Sequence, residues 1–223
     1  MTMMYIWQFW NDRNCWVFEK KKANPMISCT RTLRLLGEFE AACERDETSA
    51  GVRDAATEQH TWLAPILGRS KLNTDAAVTK EGKVGLGMVV RDAVGDVLMI
   101  AGSKGTEKRQ VLHAEADALL FGLRYSYDAG FRRLEVEVDN QTLAALVAGK
   151  TKVFSATQIV VNDIIDFAKK LEVCSFGFSR RTCNKVPHSM AKASLDFEED
   201  LVWMEECPPY VLPFVQKDKA SNE

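Results

Sequence analysis

At 223 residues, with 46% hydrophobic and 27% charged side chains, the chain has the composition of an ordinary globular protein, with room for one full domain plus extra elements. No apolar run approaches the ~18 residues a membrane span needs. Met1–Trp10 is apolar but lacks the basic lead-in and small-residue cleavage site of a secretory signal. The net charge of −2 offers no global attraction for nucleic acid, and the six cysteines (Cys15, Cys29, Cys43, Cys174, Cys183, Cys207) form no CxxC pair. That pattern argues against a zinc site or a disulfide framework and for a reducing intracellular location, nucleus or cytoplasm.

In chain order, residues 1–43 read as an N-terminal helical segment. Trp7, Trp10, Trp16, Phe9 and Phe18 precede the basic run Lys20–Lys22, and Leu33, Leu36 and Phe39 recur near a helical turn. Residues 44–61 are polar and non-periodic, as in a flexible linker. Residues 62–198 read as the main domain. Its centre, Lys71 to Leu195, carries 18 Lys/Arg against 14 Asp/Glu, a balance of +4, so the acidic excess lies in the flanks.

Within that domain Leu72, Thr74 and Ala76 alternate with Asn73, Asp75 and Ala77 as on a strand. Gly85–Val90 and Val97–Gly102 are two further strands joined by the turn-rich Arg91–Asp96. Leu112, Ala116, Leu119, Leu120, Leu123 and Tyr127 mark a helix. Leu134, Val136 and Val138 alternate with acids in a fourth strand, and helices follow at Gln141–Ala148 and Ala156–Lys169. A fifth strand fits Val173–Ser179 and a last helix Pro187–Phe197. The order β-β-β-α-β-α-α-β-α, hairpins first and crossovers later, predicts an α/β fold: a five-stranded mixed sheet flanked by helices, with the helical appendage before it. Residues 199–223, with Pro208, Pro209 and Pro213, are expected to be a poorly ordered tail.

Three carboxylates sit awkwardly for a purely structural role. Asp75 lies inside a strand expected to be covered on both faces, where charge is rare unless paired or metal-bound. Glu115 lies on the shoulder of an apolar helical stripe. Asp139 ends an apolar strand, where open α/β sheets place their sites. Taken singly, Asp75 fits a turn, Asp139 a helix N-cap and Glu115 an ordinary first-turn acid. Taken together they form a set of hard oxygen ligands suited to Mg²⁺.

The stretch from Trp62 to Leu195 resembles the ribonuclease H-type domain of plant non-long-terminal-repeat retroelements and their derived genes. The resemblance rests on Lys71–Ala77, Gly85–Asp92, His113–Leu119, Leu134–Asn140 and Asn184–Ala191, five motifs in order. The segment Trp7–Phe18 is similar to one that often precedes the domain in such elements. The resemblance implies a two-metal nuclease that cuts the RNA strand of RNA–DNA hybrids. Asp75, Glu115 and Asp139 would be the ligands of Mg²⁺, or alternatively Mn²⁺. His188 would belong to the catalytic set, and Arg181 and Asn184 would contact nucleic acid.

The sequence departs from that pattern at the fourth acidic position, which is His188. Imidazole is a softer ligand and brings no negative charge when neutral. The alternative reading is therefore a weak or inactive nucleic-acid-binding relative, with a protein-interaction scaffold built on the aromatic N-terminus ranked last. Lesser departures are Ala76 after Asp75, no histidine in the Arg180–Asn184 loop, and a connection at Gly149–Val153 too short for the basic helical handle of some relatives. The short connection predicts weaker, salt-sensitive binding. His113 is expected to support its helix start, and Cys174 and Cys183 to be inert thiols.

Overall fold

A computed structural model describes residues 61–106, 110–153 and 155–222. The N-terminal helical segment and almost all of the linker expected from the sequence lie outside the described residues.

Three antiparallel strands open the fold: β1 (Ser70–Val78), β2 (Val84–Arg91) and β3 (Val97–Lys104). Helix α1 (Val111–Asp128) crosses the sheet to β4 (Arg133–Val138). Helices α2 (Gln141–Val147) and α3 (Ala156–Ala168) then lead to β5 (Val173–Phe178), and α4 (Lys185–Ala193) follows a short 3-10 turn at Arg181–Cys183. The sheet order is β5-β4-β1-β2-β3-β6. β4 runs parallel to β1 and to β5, and the other pairings are antiparallel. The element order anticipated from periodicity is present through α4.

Two features differ from the sequence expectation. The sheet has six strands, because β6 (Leu201–Met204) pairs with the outer edge of β3. The segment after residue 198 is not a poorly ordered tail, since β6 is followed by helix α5 (Leu212–Ala220) with Pro213 in its first turn, a position where proline costs no hydrogen bond. α5 is weakly amphipathic, so its pattern was faint, yet Val211 and Val215 pack into a cluster with Val89, Ile100, Val186 and Met190. The last core helix also begins two residues earlier than expected, at Lys185, and tightens into a 3-10 turn at Ser194–Asp196.

Strand alternation divides the core. Leu72, Met88, Val90, Leu134 and Val136 face Leu119 and Leu123 of α1. The opposite face carries Asn73, Asp75, Gly85 and Gly87, with the two glycines directly under α4. A Cβ at Gly87 would stand 2.4 Å from both Ala191 N and Pro187 O, and one at Gly85 would stand 2.1 Å from Ala191 O. Helix α4 therefore rests on bare strand backbone, and only glycine permits that approach.

Arg91, at the end of β2, is fully buried. Its guanidinium lies 3.6 Å over the Trp62 ring and donates to Asp218 of α5 at 2.7 Å and to Asn73 Oδ1 at 2.9 Å. Trp62 Nε1 donates to the same Asn73 oxygen at 3.0 Å. This network ties both ends of the described unit to the central strand.

Two outcomes follow. Asp218→Ala leaves Arg91 buried without its counter-ion and should cost about 3–5 kcal/mol of unfolding free energy, read by urea titration. Gly87→Ala forces α4 off β2 and should cost about 1–3 kcal/mol or more by overpacking; unchanged stability would show that α4 does not sit where described.

Candidate metal centre

The parallel register of β1 and β4 pairs Thr74 with Val138, so the next step along each strand sets Asp75 beside Asp139. Glu115 reaches the same place from α1. One oxygen from each of the three carboxylates lies within 4.8 Å of the others. The expected trio is thus brought together by three separate elements.

Local structure removes the ordinary explanation of each acid. Asp75 is in mid-strand opposite Gly87, not in a turn. The N-cap of α2 is Asn140, whose side chain accepts from Leu143 N at 3.1 Å, so Asp139 has no capping task. Helix α1 begins at Val111 with no acid in its first turn, which places Glu115 beyond the helix-dipole position, and it is 6% exposed.

Burial and crowding disfavour the charged forms. Desolvation, followed by the like charges of Asp75 and Asp139, pushes Glu115 up to about 9. Burial also raises Asp75, against the lowering influence of His188 and Arg181. Asp139 is raised by burial and by Asp75, opposed by Arg181, His188 and Asn184. The set carries more negative charge than its protein surroundings balance. A hard divalent cation would relieve that excess, so the donor set fits Mg²⁺ or Mn²⁺ chemically.

His188, on the exposed side of α4's contact with the sheet, places Nδ1 2.6 Å from Asp75 Oδ2, with an imidazole N–H donating to the carboxylate. The glycine-backed seat of α4 makes this contact possible. Arg181, in the 3-10 turn, is exposed and its charge acts on both Asp75 and Asp139. Asn184 is fully buried; its amide donates to the Thr74 carbonyl at 2.9 Å, which holds β1 against the start of α4, and its side chain also bonds to Asp139. That commitment also leaves α4 without a side-chain N-cap bond.

Among the other singled-out groups, His113 Nδ1 lies 3.3 Å from Thr157 Oγ1 and links α1 to α3. Burial pushes the Cys174 thiol up to about 11, consistent with an unreactive side chain. Sequence reasoning missed Gly87, whose legible signal was a Gly-x-Gly within a strand.

A family profile described as reverse transcriptase-like matches residues 73–194, more than half of the chain. The chain belongs to the reverse transcriptase-like family. All three carboxylates, His188, Arg181 and Asn184 fall inside the matched stretch. No curated protein matches the sequence. Among solved structures, ribonuclease H1 from the halophilic archaeon Halobacterium salinarum superposes with a TM-score of 0.55 at 21% identity, covering 58% of this chain and 98% of the other. The N-terminal ribonuclease H domain of a Mycobacterium tuberculosis protein gives 0.53 at 19%, covering 57% and 94%. LC11-RNase H1, solved in complex with an RNA/DNA hybrid, gives 0.53 at 19%, covering 57% and 97%. This reverse transcriptase-like chain has a ribonuclease H fold. No helix among its described residues is long and apolar enough to cross a membrane.

The raised carboxyls set the pH dependence of the metal-free protein. Between the ordinary glutamate value of 4.5 and about 9, the folded state keeps a proton on Glu115 that the unfolded chain releases. Stability therefore falls as pH rises through that window. Urea midpoints measured without metal should decline from about pH 5 to about pH 9, Glu115→Gln should flatten most of the decline, and Mg²⁺ should protect most at the alkaline end. A metal-free midpoint that rises with pH would contradict the crowded-carboxylate description.

Proposed function

We propose that the chain is a divalent-metal-dependent endoribonuclease that hydrolyses the RNA strand of RNA–DNA hybrids. The observation that carries the reading is the convergence of Asp75, Glu115 and Asp139 within 4.8 Å at the β1–β4 register step. The ribonuclease H fold and the hybrid bound to LC11-RNase H1 support the substrate class.

In this reading the three carboxylates hold Mg²⁺, with Mn²⁺ as a substitute. Bound there, the metal would supply Lewis acidity toward a phosphoryl oxygen and a more acidic water. The protein's own groups do the rest. Asp75 and Asp139 lie on adjacent strands and present their oxygens from a rigid sheet. Arg181 is exposed beside them and attracts the phosphodiester. His188 orients Asp75 through the 2.6 Å contact and, being partly exposed, is placed to exchange a proton with solvent.

A second reading is favoured by the same contact. His188 occupies the fourth acidic position of the resembled pattern and commits one Asp75 oxygen to an imidazole. On that reading the protein binds hybrid but cleaves it weakly or not at all.

Cleavage of a labelled RNA–DNA hybrid in Mg²⁺ and in Mn²⁺ separates the two. For the nuclease, the wild type cuts, Asp139→Asn loses at least about two orders of magnitude of rate, and His188→Asp is faster. A silent wild type that binds hybrid, with cutting restored by His188→Asp, selects the binder. If neither protein binds or cuts, both readings fail.

A further inference from the structure

Residues beyond 194, where the family match ends, do more than close the β3 edge. Helix α5 packs beside α4, and between its C-terminal half and the turn leading into α4 lies a cavity of about 170 Å³. Thr182 and Lys185 line it from one side, and Phe214, Lys217, Asp218 and Ser221 from the other, with Thr61 completing the wall. The cavity is thus built jointly by the family core and the C-terminal addition.

Its charge is unbalanced. The one acid in the wall, Asp218, is already matched by the buried Arg91 at 2.7 Å. Lys185 and Lys217 are exposed and make no ion pair among the described residues, and the charge of both acts on Asp218. Two ammonium groups and the hydroxyl-bearing side chains of Thr61 and Thr182 therefore surround a space suited to a tetrahedral oxyanion, while the Ser221 hydroxyl donates to the Lys217 carbonyl at 3.0 Å. Ammonium and hydroxyl groups supply the donors such an anion needs.

The location gives that anion a role. Thr182 is the next residue after Arg181, whose charge acts on the carboxylates. One 3-10 turn, Arg181–Cys183, therefore serves both the metal centre and the cavity. We infer that the Lys185–Lys217 cavity is a second phosphate subsite, holding a backbone phosphodiester of the bound nucleic acid away from the scissile bond. This rests on the proposed function for the identity of the polymer, but not for the anion chemistry. The C-terminal addition thereby lengthens the basic track that begins at Arg181. Phosphate contacts of this kind raise affinity without sequence preference.

The test uses the full chain and two probes, inorganic phosphate and a short RNA–DNA hybrid, with backbone amide shifts of Thr182, Lys185, Lys217 and Ser221 as the readout. Hybrid should shift these amides together with those around Asp75 and Asp139. In the Lys185→Ala/Lys217→Ala double variant the cavity shifts should vanish, while Mg²⁺ still perturbs the carboxylates. Hybrid affinity should drop several-fold, to about tenfold, and the slope of log K against log salt should shrink by about 1. Lys169→Ala, at the far end of α3, is the control and should leave both unchanged.

Hybrid shifts that reach the carboxylates but skip the cavity overturn the subsite and leave the proposed function intact. Phosphate shifts without hybrid shifts at the cavity also overturn it, in favour of a site for a free small phosphate. No hybrid shift anywhere overturns the subsite and the proposed function together. An unchanged salt slope in the double variant overturns the subsite even if the amides move.

Discussion

Helix α4 lies directly on the backbone of β2, and the geometry of the site depends on that contact. Gly85 and Gly87 remove the side chains that would otherwise hold helix and sheet apart by the usual layer of packing. The gain is proximity. His188 reaches Asp75, the 3-10 turn before the helix carries Arg181, whose charge acts on Asp75 and Asp139, and Asn184 bonds to the Thr74 carbonyl one residue from Asp75. Loss of that seat would move several functional groups at once, because they share one rigid helix and the turn before it.

The same sheet concentrates charge where the fold disfavours it. Parallel pairing of β1 with β4 sets two aspartates side by side, and α1 adds a glutamate from the opposite face. Buried acids at this spacing resist ionisation, and the folded chain carries that penalty as raised carboxyl affinities for protons. The cost is reasonable only where something positive completes the arrangement. His188 and Arg181 supply part of that charge, from one side of the cluster. A cation among the oxygens would supply the remainder.

The C-terminal addition solves a different problem. β6 covers the outer edge of β3, which would otherwise present unpaired backbone groups. α5 covers Val89 and Ile100, and its Asp218 neutralises an arginine that has no access to water. Arg91 in turn stacks on Trp62, so the segment entering the domain and the helix ending it meet on one guanidinium. Buried ion pairs add little to stability by comparison with apolar packing, but removing one partner is severe. The addition is therefore integral to the domain.

Much of this was legible in the chain. The two-residue alternation of Leu72–Ala77 and Leu134–Asp139 and the helical spacing of Leu112–Tyr127 gave the order of elements, because apolar period follows directly from which face is buried. Five ordered motifs singled out Asp75, Glu115, Asp139 and His188. The tail was misjudged because three prolines and a weakly patterned helix conceal a packing role that exists only against Val186, Met190 and Arg91. The bond from Asn184 to a backbone carbonyl 110 residues away was not legible, since a polar side chain reads the same in sequence whether its partner is a ligand or a distant strand. Residue types and local periods thus determined the elements and the candidate acids. Only the tertiary structure decided that the acids converge, that α4 touches β2 without side chains between them, and that the C-terminus belongs to the core, because each depends on contacts between residues far apart in sequence that no local pattern encodes.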